Sequence, residues 1–322
     1  MSLMRALLMK LPVLFLILVV VSLTMISAEG PRWNANATTV EAPGIVVQFF
    51  ERKPQYKFWI PGENGTAVYI VIFHKIIEFE DRDNDGVFDT QDTILAEAEL
   101  TAHDVWDIYA EILPGPDEST EIRITMKGLV AVIPKMGPGI DKANITFVNH
   151  IYDRDVEIDG YTVAGNRELK IDIIIYDWPW HSDTAKLCLE VIFAGHFRGR
   201  RGTPHCEEHR IQVRNQNVRE VRMRGEDTNM VGVFRFRERV CIREGGQERF
   251  CNVNCSHDFQ AQNAIEYIVY PHFEGVLEHD PSILVEKGTT LSDVIIENAP
   301  YILLAAILVI VAVVIVVKVR KK

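Results

Sequence analysis

Residues 67–79, AVYIVIFHKIIEF, decide the fold class of this chain. The stretch is apolar on both faces and rich in β-branched and aromatic residues, which is typical of a central strand buried between two layers. Other runs alternate apolar and polar residues with a period of two, as in TEIRITMKG (120–128) and LKIDIIIYD (169–177), and predict strands with one solvated face. Turn-forming clusters separate these runs and no amphipathic helical stretch competes with them. We therefore expect an all-β protein, a β-sandwich or jelly roll.

The composition is that of a folded protein, since 48% of the 322 residues are hydrophobic and 25% are charged. The charge is unevenly distributed: residues 29–195 hold 29 acidic and 14 basic residues, whereas residues 196–250 hold 13 Arg, no Lys and 8 acidic residues. In FRFRERVCIR (234–243) the arginines alternate with apolar residues, which predicts a sheet whose solvated arginines pair with carboxylates. A docking surface for an anionic partner is the alternative. The net charge of −11 and the lack of a nucleic-acid-binding motif argue against nucleic acid as a partner.

The two ends of the chain predict a membrane-anchored protein. Residues 1–28 have the pattern of a cleaved signal peptide, in which basic residues precede an apolar run of about 15 residues and a small residue precedes the cleavage point. An uncleaved N-terminal anchor is the alternative. Residues 299–317 are uncharged and close to the ~20 residues that cross a bilayer, and a basic tail follows at 318–322. We expect a single-pass type I protein of the cell membrane with an extracellular ectodomain.

Within the ectodomain we distinguish three segments by composition. They are an acidic β-sandwich region (29–195), an Arg- and Cys-rich β region of the same ectodomain (196–285) and a polar stalk (286–298). Four sequons for N-glycosylation agree with extracellular placement. Their asparagines are Asn36, Asn64, Asn144 and Asn254.

Five cysteines in an extracellular protein predict disulfides. CIREGGQERFC (241–251) predicts a hairpin with a three-residue loop that places Cys241 opposite Cys251, within disulfide reach. Cys206 and Cys255 are the second candidate pair, which leaves Cys188 as a buried free thiol, although several other connectivities are open. A zinc site is the alternative. It would use Cys206, His209, Cys251, Cys255 and His257.

Residues 81–92, DRDNDGVFDTQD, have the spacing of a calcium-binding loop, with Asp at positions 1, 3, 5, 9 and 12, Gly at 6 and an apolar residue at 8. In such loops the first three carboxylates converge on the ion, glycine permits the sharp turn, position 7 supplies its carbonyl and position 12 closes the shell. The predicted Ca²⁺ ligands are Asp81, Asp83, Asp85, the carbonyl of Val87, Asp89 and Asp92. Because five carboxylates repel one another, we expect the metal-free loop to be loose.

This loop resembles those of thrombospondin type 3 repeats and is similar to those of dockerins, which also use Asp at position 12. The resemblance covers these dozen residues and implies bound Ca²⁺. The loop is not repeated and its flanks alternate like strands, so we expect a structural staple instead of a sensor.

FWIPGENGTAVYIVIFHKIIEFEDRDNDGVFD (58–89), LKIDIIIYDW (169–178) and YPHFEGVLEHDPSI (270–283) resemble segments of a family of uncharacterised cell-surface ectodomains. That resemblance spans about residues 55–283 and implies a β-rich fold and surface placement, with no activity attached.

Three clusters combine histidine with carboxylates, as hydrolases do. Their residues are Asp177, His181 and Asp183; His257 and Asp258; and His272, Glu274, His279 and Asp280. No nucleophile elbow, zinc-protease helix or phosphate loop accompanies them, so we assign no catalytic residue. The sequence predicts adhesion, recognition or surface structure, with an extracellular protein, a glycan or a second copy of the chain as partner. A membrane-anchored extracellular hydrolase with structural calcium is the alternative.

Overall fold

The structure is a computed structural model of the chain. It describes residues 32–34, 38–50, 53–62, 67–102, 105–158, 160–197, 200–202, 204–213, 216–225, 228–259 and 264–287. The predicted signal peptide, membrane helix, basic tail and most of the stalk lie outside these residues, as do the sequons at Asn36 and Asn64. In the described part, no helix is long and apolar enough to cross a membrane.

The described chain is built of strands, apart from one short 3-10 turn at Pro116–Glu118. The strands are β1 (Arg32–Asn34), β2 (Thr39–Ala42), β3 (Ile45–Phe49), β4 (Gln55–Trp59), β5 (Ala67–Glu80), β6 (Thr93–Glu99), β7 (Trp106–Pro114), β8 (Thr120–Pro134), β9 (Asp141–Tyr152), β10 (Val156–Ile158), β11 (Tyr161–Val163), β12 (Glu168–Tyr176), β13 (Lys186–Phe197), β14 (Arg200–Gly202), β15 (His205–Val213), β16 (Gln216–Arg224), β17 (Met230–Arg237), β18 (Arg239–Glu244), β19 (Gln247–Asn252), β20 (Asn254–Asp258), β21 (Ala264–Tyr270), β22 (Val276–His279) and β23 (Ser282–Lys287).

The strands form large antiparallel sheets. The first sheet runs β1–β2–β3–β4–β5–β13–β21–β20, with β6 beside the far end of β5 and β14 beside the end of β13. The second runs β7–β8–β9–β12, and β12 then pairs with both β22 and β23. From there β23 continues to β17, β16 and β15, and β22 continues to β18 and β19. The all-β prediction is confirmed, and the arrangement is consistent with a β-sandwich.

Aromatic side chains join the two sheets. The ring of Phe73 on β5 lies 5.2 Å from that of Phe147 on β9 and 6.1 Å from that of Phe234 on β17. One large hydrophobic core includes residues from before and after position 195. The acidic region and the arginine-rich region therefore contribute to the same core, which burial of apolar surface stabilises.

Strand β5 differs in one respect from the central strand that its sequence predicts. Residues 67–74 alternate between buried and half-buried, so only one face is fully covered there. At Ile77 and Phe79 the other face is covered as well, by a second small cluster with Cys188 and Val269. The partly buried Phe88 of the acidic loop packs against this cluster. The end of β5 is thus buried on both sides because the loop that follows it folds back over the sheet.

Candidate metal-binding loop

The acidic loop is the connection of the β5–β6 hairpin. Strand β5 ends at Glu80 and β6 begins at Thr93, and the two strands pair from these residues onward. The strand flanks that the sequence predicts are therefore confirmed, and no helix of the described chain borders the loop. A hairpin loop is anchored at both ends, which suits a fixed clamp better than a hinge.

The loop's own aspartates fold its backbone. The Gly86 N–H donates to Asp81 Oδ2 at 2.9 Å, the Val87 N–H donates to Asp85 Oδ1 at 2.9 Å and the Gln91 N–H donates to Asp89 Oδ1 at 2.6 Å. The last two are bonds that aspartate commonly makes to the backbone N–H two residues on. Gly86 has a φ of +86°, a conformation that glycine adopts without steric cost. The glycine at position 6 is therefore where the turn requires it.

Three of the predicted ligands come together. One oxygen each of Asp81, Asp83 and Asp85 lies within 4.8 Å of the other two. The Asp81 side chain is 4% exposed, and its Oδ1 has no hydrogen-bond partner. Loss of hydration and the charges of Asp85 and Asp89 raise the pKa of Asp83. A buried unpaired oxygen next to mutually repelling carboxylates is what a bound cation would stabilise.

The other predicted ligands are placed differently. Asp92 accepts hydrogen bonds from the N–H groups of Arg82 at 3.1 Å and Asp89 at 2.9 Å, so its carboxylate closes the loop through the backbone. Asp89 and Asp92 do not belong to the group of three carboxylates in the described loop. Their role as ligands, and that of the Val87 carbonyl, stays a prediction.

Lys186 supplies a positive charge that sequence inspection does not reveal. Its Nζ lies 2.5 Å from Asp81 Oδ2, from the start of β13, where Lys186 pairs with Phe79. Although desolvation opposes the effect, Lys186 and the Gly86 N–H lower the pKa of Asp81. The ammonium therefore holds one oxygen of this carboxylate while leaving the other unpaired.

Strand β20 holds the loop against the first sheet. Asn254 Nδ2 donates to the Gly86 carbonyl at 3.0 Å, and Ser256 Oγ donates to the Phe88 carbonyl at 2.9 Å. The Phe88 ring lies 5.1 Å from Phe79 and 5.4 Å from Tyr267. The loop is thus docked on the first sheet by backbone and apolar contacts, and the looseness of the metal-free loop stays a prediction.

The two described sequons have different surroundings. Asn144 is exposed on β9. Asn254 is also an exposed residue, but its side-chain nitrogen, the atom that a glycan would modify, is bonded to Gly86. Both asparagines stay glycosylation candidates, and at Asn254 a glycan would compete with the contact to Gly86.

The predicted pairing of Cys241 with Cys251 is wrong in register. Strands β18 and β19 pair Cys241 with Phe250 and Val240 with Cys251, so the two cysteines point to opposite faces of the hairpin. The turn has two residues instead of three, because Gly245 (φ +55°) and Gly246 (φ +82°) adopt the conformation of a tight type I′ turn. All five cysteines are free thiols in the structure, including Cys206 and Cys255.

The candidate catalytic histidines make structural contacts. His181 Nδ1 lies 2.8 Å from the fully buried Glu78 carboxylate, which also accepts a hydrogen bond from Trp178 Nε1 at 3.1 Å. His279 is fully buried beside the Tyr270 hydroxyl, and this burial lowers its pKa to about 4. These contacts fix turns and strands of the core.

Arginines on the face of the second sheet pair with carboxylates. Arg235 Nε lies 2.6 Å from Glu220, and Arg237 Nη1 lies 3.3 Å from Asp280. Arg222 lies 2.5 Å from Glu286. Of these partners, Glu220 lies within the arginine-rich residues 196–250, Asp280 precedes β23 and Glu286 lies on β23. The contacts favour the interpretation of arginines paired within the sheet over that of a docking surface for an anionic partner.

A comparison of the chain with models of protein families finds none that matches, and a comparison with curated proteins finds no matching relative. The fold and the loop define the class instead. This is an all-β protein with large antiparallel sheets in which an acidic loop closes one hairpin.

Proposed function

We propose that the protein is a single-pass cell-surface protein whose β-sandwich ectodomain is stabilised by one Ca²⁺ ion in the loop 81–92. It serves adhesion, recognition or surface structure, with an extracellular protein, a glycan or a second copy of the chain as its partner. Two observations on a loop with the spacing of a calcium site carry the proposal. The carboxylates of Asp81, Asp83 and Asp85 lie close together, and the buried Oδ1 of Asp81 has no hydrogen-bond partner.

Calcium fits this loop better than a transition metal. Its side-chain donors are carboxylate oxygens, and the group of three contains neither a thiolate nor an imidazole. Hard cations prefer such oxygen donors, and Ca²⁺ tolerates the irregular geometry that a hairpin loop provides. When bound, the ion supplies charge neutralisation. Asp81, Asp83 and Asp85 would hold it, while Lys186 keeps the second oxygen of Asp81 in place.

The contacts of the loop with other strands support a structural role for the ion. It belongs to the β5–β6 hairpin, contacts β20 through two hydrogen bonds and contacts β13 through Lys186. Lys186 lies 105 residues after Asp81, and Asn254 and Ser256 lie 168 residues after Gly86 and Phe88. An ion that orders the loop would therefore stabilise contacts across the first sheet, as expected for an extracellular module with weak Ca²⁺ affinity of ~10⁻⁴ to 10⁻³ M.

Placement at the membrane is supported by the sequence of residues 1–28 and 299–317. The test is labelling of intact cells with a membrane-impermeant amine reagent, with a tag added after residue 322. We expect the ectodomain to be labelled and the tag to be accessible to antibody only after permeabilisation. A chain labelled only in permeabilised cells would contradict surface placement and leave the calcium proposal standing.

The calcium proposal is tested by thermal melting of the full-length protein in mild detergent with Ca²⁺, with Mg²⁺ or with chelator. At a Ca²⁺ concentration of 100 Kd, binding adds about 2.7 kcal/mol to the free energy of unfolding and raises Tm by several degrees. Asp81→Ala and Asp85→Ala should remove this increment, whereas Asp107→Ala, an exposed aspartate on β7, should retain it. A Tm that Ca²⁺ leaves unchanged in the wild type would refute the proposal.

A further inference from the structure

Strand β20 has a second functional face. Asn254 and Ser256 contact the acidic loop, and the alternating residues Cys255 and His257 point to the opposite side. There His257 Nδ1 lies 2.9 Å from Glu208 Oε2 on β15 of the second sheet. One short strand therefore separates the loop from a second cluster of ionisable groups.

Glu266 is the unusual member of this cluster. It lies on β21 opposite His257, it is fully buried, and neither of its carboxylate oxygens has a hydrogen-bond partner. An unpaired carboxylate in a protein interior is strongly destabilising unless it is neutralised. Burial, and then the charge of Glu208, raise the pKa of Glu266 to about 8.

The neighbours of Glu266 are ligand-type groups. One carboxylate oxygen of Glu208, one of Glu266 and the Cys255 sulfur all lie within 4.8 Å of one another. Burial and the negative charge of Glu266 raise the pKa of the Cys255 thiol. The nearby Arg219 donates to Glu208 Oε1 at 2.5 Å and also to Glu238 at 2.7 Å, whereas Glu208 Oε2 is the oxygen beside His257. Arginine therefore compensates Glu208 and leaves the oxygens of Glu266 unpaired.

We propose that Glu208, Cys255 and Glu266 form a binding site for a zinc-like divalent metal ion, with His257 as the adjacent imidazole donor. The buried unpaired carboxylate beside a thiol and a second carboxylate carries the proposal. Zinc takes thiolate, imidazole and carboxylate ligands in this combination, whereas a sulfur ligand disfavours Ca²⁺ and Mg²⁺.

The bound ion would hold the two sheets together. Glu208 belongs to β15 of the second sheet, and Cys255 and Glu266 belong to β20 and β21 of the first. Binding releases the Cys255 thiol proton and the proton that Glu266 carries below its raised pKa, and the ion then compensates the thiolate and both carboxylates, so the cost of burying Glu266 is offset. This set shares only Cys255 and His257 with the zinc site that the sequence suggests. The five residues of that earlier set do not form one group among the described residues.

The test uses Co²⁺ as a spectroscopic probe for zinc. The full-length protein is reduced with a phosphine, freed of metal, supplied with excess Ca²⁺ to fill the acidic loop, and titrated with Co²⁺. We expect one equivalent to bind with a thiolate-to-metal charge-transfer band in the near ultraviolet, and Zn²⁺ to abolish the band. Binding without the band, or no binding, would overturn the proposal.

Variants locate the site. Cys255→Ser should lose the band, and the near-isosteric Glu266→Gln should lower Co²⁺ affinity at least 10-fold, about 1.4 kcal/mol. Cys251→Ser, a partly buried cysteine outside the cluster, should bind like the wild type. Circular dichroism checks that each variant is folded. If Cys255→Ser does not fold, the Co²⁺ affinity of Glu266→Gln tests the site instead. A band that survives in folded Cys255→Ser would overturn the assignment, as would a disulfide at Cys255 found by mass spectrometry of the unreduced protein.

Discussion

The side-chain nitrogen of Asn254 lies 3.0 Å from the carbonyl oxygen of Gly86, which is 168 residues earlier in the chain. Two residues further along both segments, Ser256 makes the matching bond to Phe88. Side chains two apart on a strand share a face, so β20 presents two donors side by side to the loop. The loop is held through its backbone, which leaves its carboxylates available for a cation.

Removing either of these two hydrogen bonds should destabilise the loop without changing a predicted Ca²⁺ ligand. We expect Asn254→Ala and Ser256→Ala each to lower the free energy of unfolding by about 1 kcal/mol and to reduce Ca²⁺ affinity, because the loop must then be ordered when the ion binds. Asn252→Ala, at an exposed position on β19, is the matched control. Urea denaturation and calcium titration measure the two effects. If all three variants have the same free energy of unfolding and the same Ca²⁺ affinity, the two hydrogen bonds from β20 do not stabilise the loop.

Gly86→Ala tests the close approach of Asn254 to the loop. A Cβ at Gly86 would lie 2.4 Å from Asn254 Nδ2, whereas one at Gly62, which has a similar φ of +82°, meets nothing within 4 Å. Gly62→Ala should therefore show only the backbone strain of about 1–2 kcal/mol. Gly86→Ala should cost more, and Asn254→Ala in the same chain should remove the excess. Denaturation of the single and double variants measures this coupling, and additive effects would contradict the contact.

The loop and its strand flanks were predictable because they depend on residues close together in sequence. Aspartate spacing, a glycine at the turn and period-two flanks are local signals. The sequence did not predict which residues from other strands contact the loop, namely Lys186, Asn254 and Ser256. They reach the loop only after β5 pairs with β13 and β21 pairs with β20, and strand pairing over such distances leaves no local sequence signal.

One wrong prediction, and one site residue that the sequence does not reveal, have identifiable physical causes. In the β18–β19 hairpin the pair Gly245 and Gly246 favours a two-residue turn, and a shift of one residue moves a cysteine to the other face. Glu266 alternates with apolar residues and so has the pattern of a solvated position. It is buried because β15 of the other sheet lies near it, as its contact with Glu208 indicates.

Lys186 should weaken calcium binding while stabilising the metal-free loop. Its ammonium neutralises Asp81, so Lys186→Met leaves this carboxylate with a fully uncompensated charge for the ion. We expect the variant to bind Ca²⁺ several-fold more tightly and to melt at a lower temperature in chelator. Lys142→Met, at an exposed position on β9, should change neither value. Calorimetric titration decides the matter, and an unchanged or weaker affinity would show that Lys186 does not compete electrostatically.

His150 should make stability depend on pH above its unfolded pKa of about 6.5. Its Nδ1 lies 2.7 Å from Glu121 and its Nε2 lies 2.9 Å from Asp172, with Tyr152 stacked alongside and Lys170 bonded to Asp172. Although burial lowers it, the hydrogen bonds to Asp172 and Glu121 raise the pKa of His150 overall. A group whose pKa is raised by folding stabilises the protein fully below its unfolded pKa of about 6.5, and the contribution is lost as pH rises through the folded value.

The measurement compares wild type with His150→Gln by urea denaturation between pH 5 and pH 9. The wild-type advantage in free energy of unfolding should be constant near pH 5–6 and should shrink as the pH rises, because His150 loses its proton between the two carboxylates. The carboxylates themselves do not produce this slope, since pairing lowers the pKa of Asp172 to about 2 and that of Glu121 below its usual range. Glu190 also raises the pKa of His74, but both proteins contain His74, so its contribution to the pH dependence cancels in the comparison. Parallel curves over the whole range would show that His150 is neutral in the folded protein and only fills space between β8, β9 and β12.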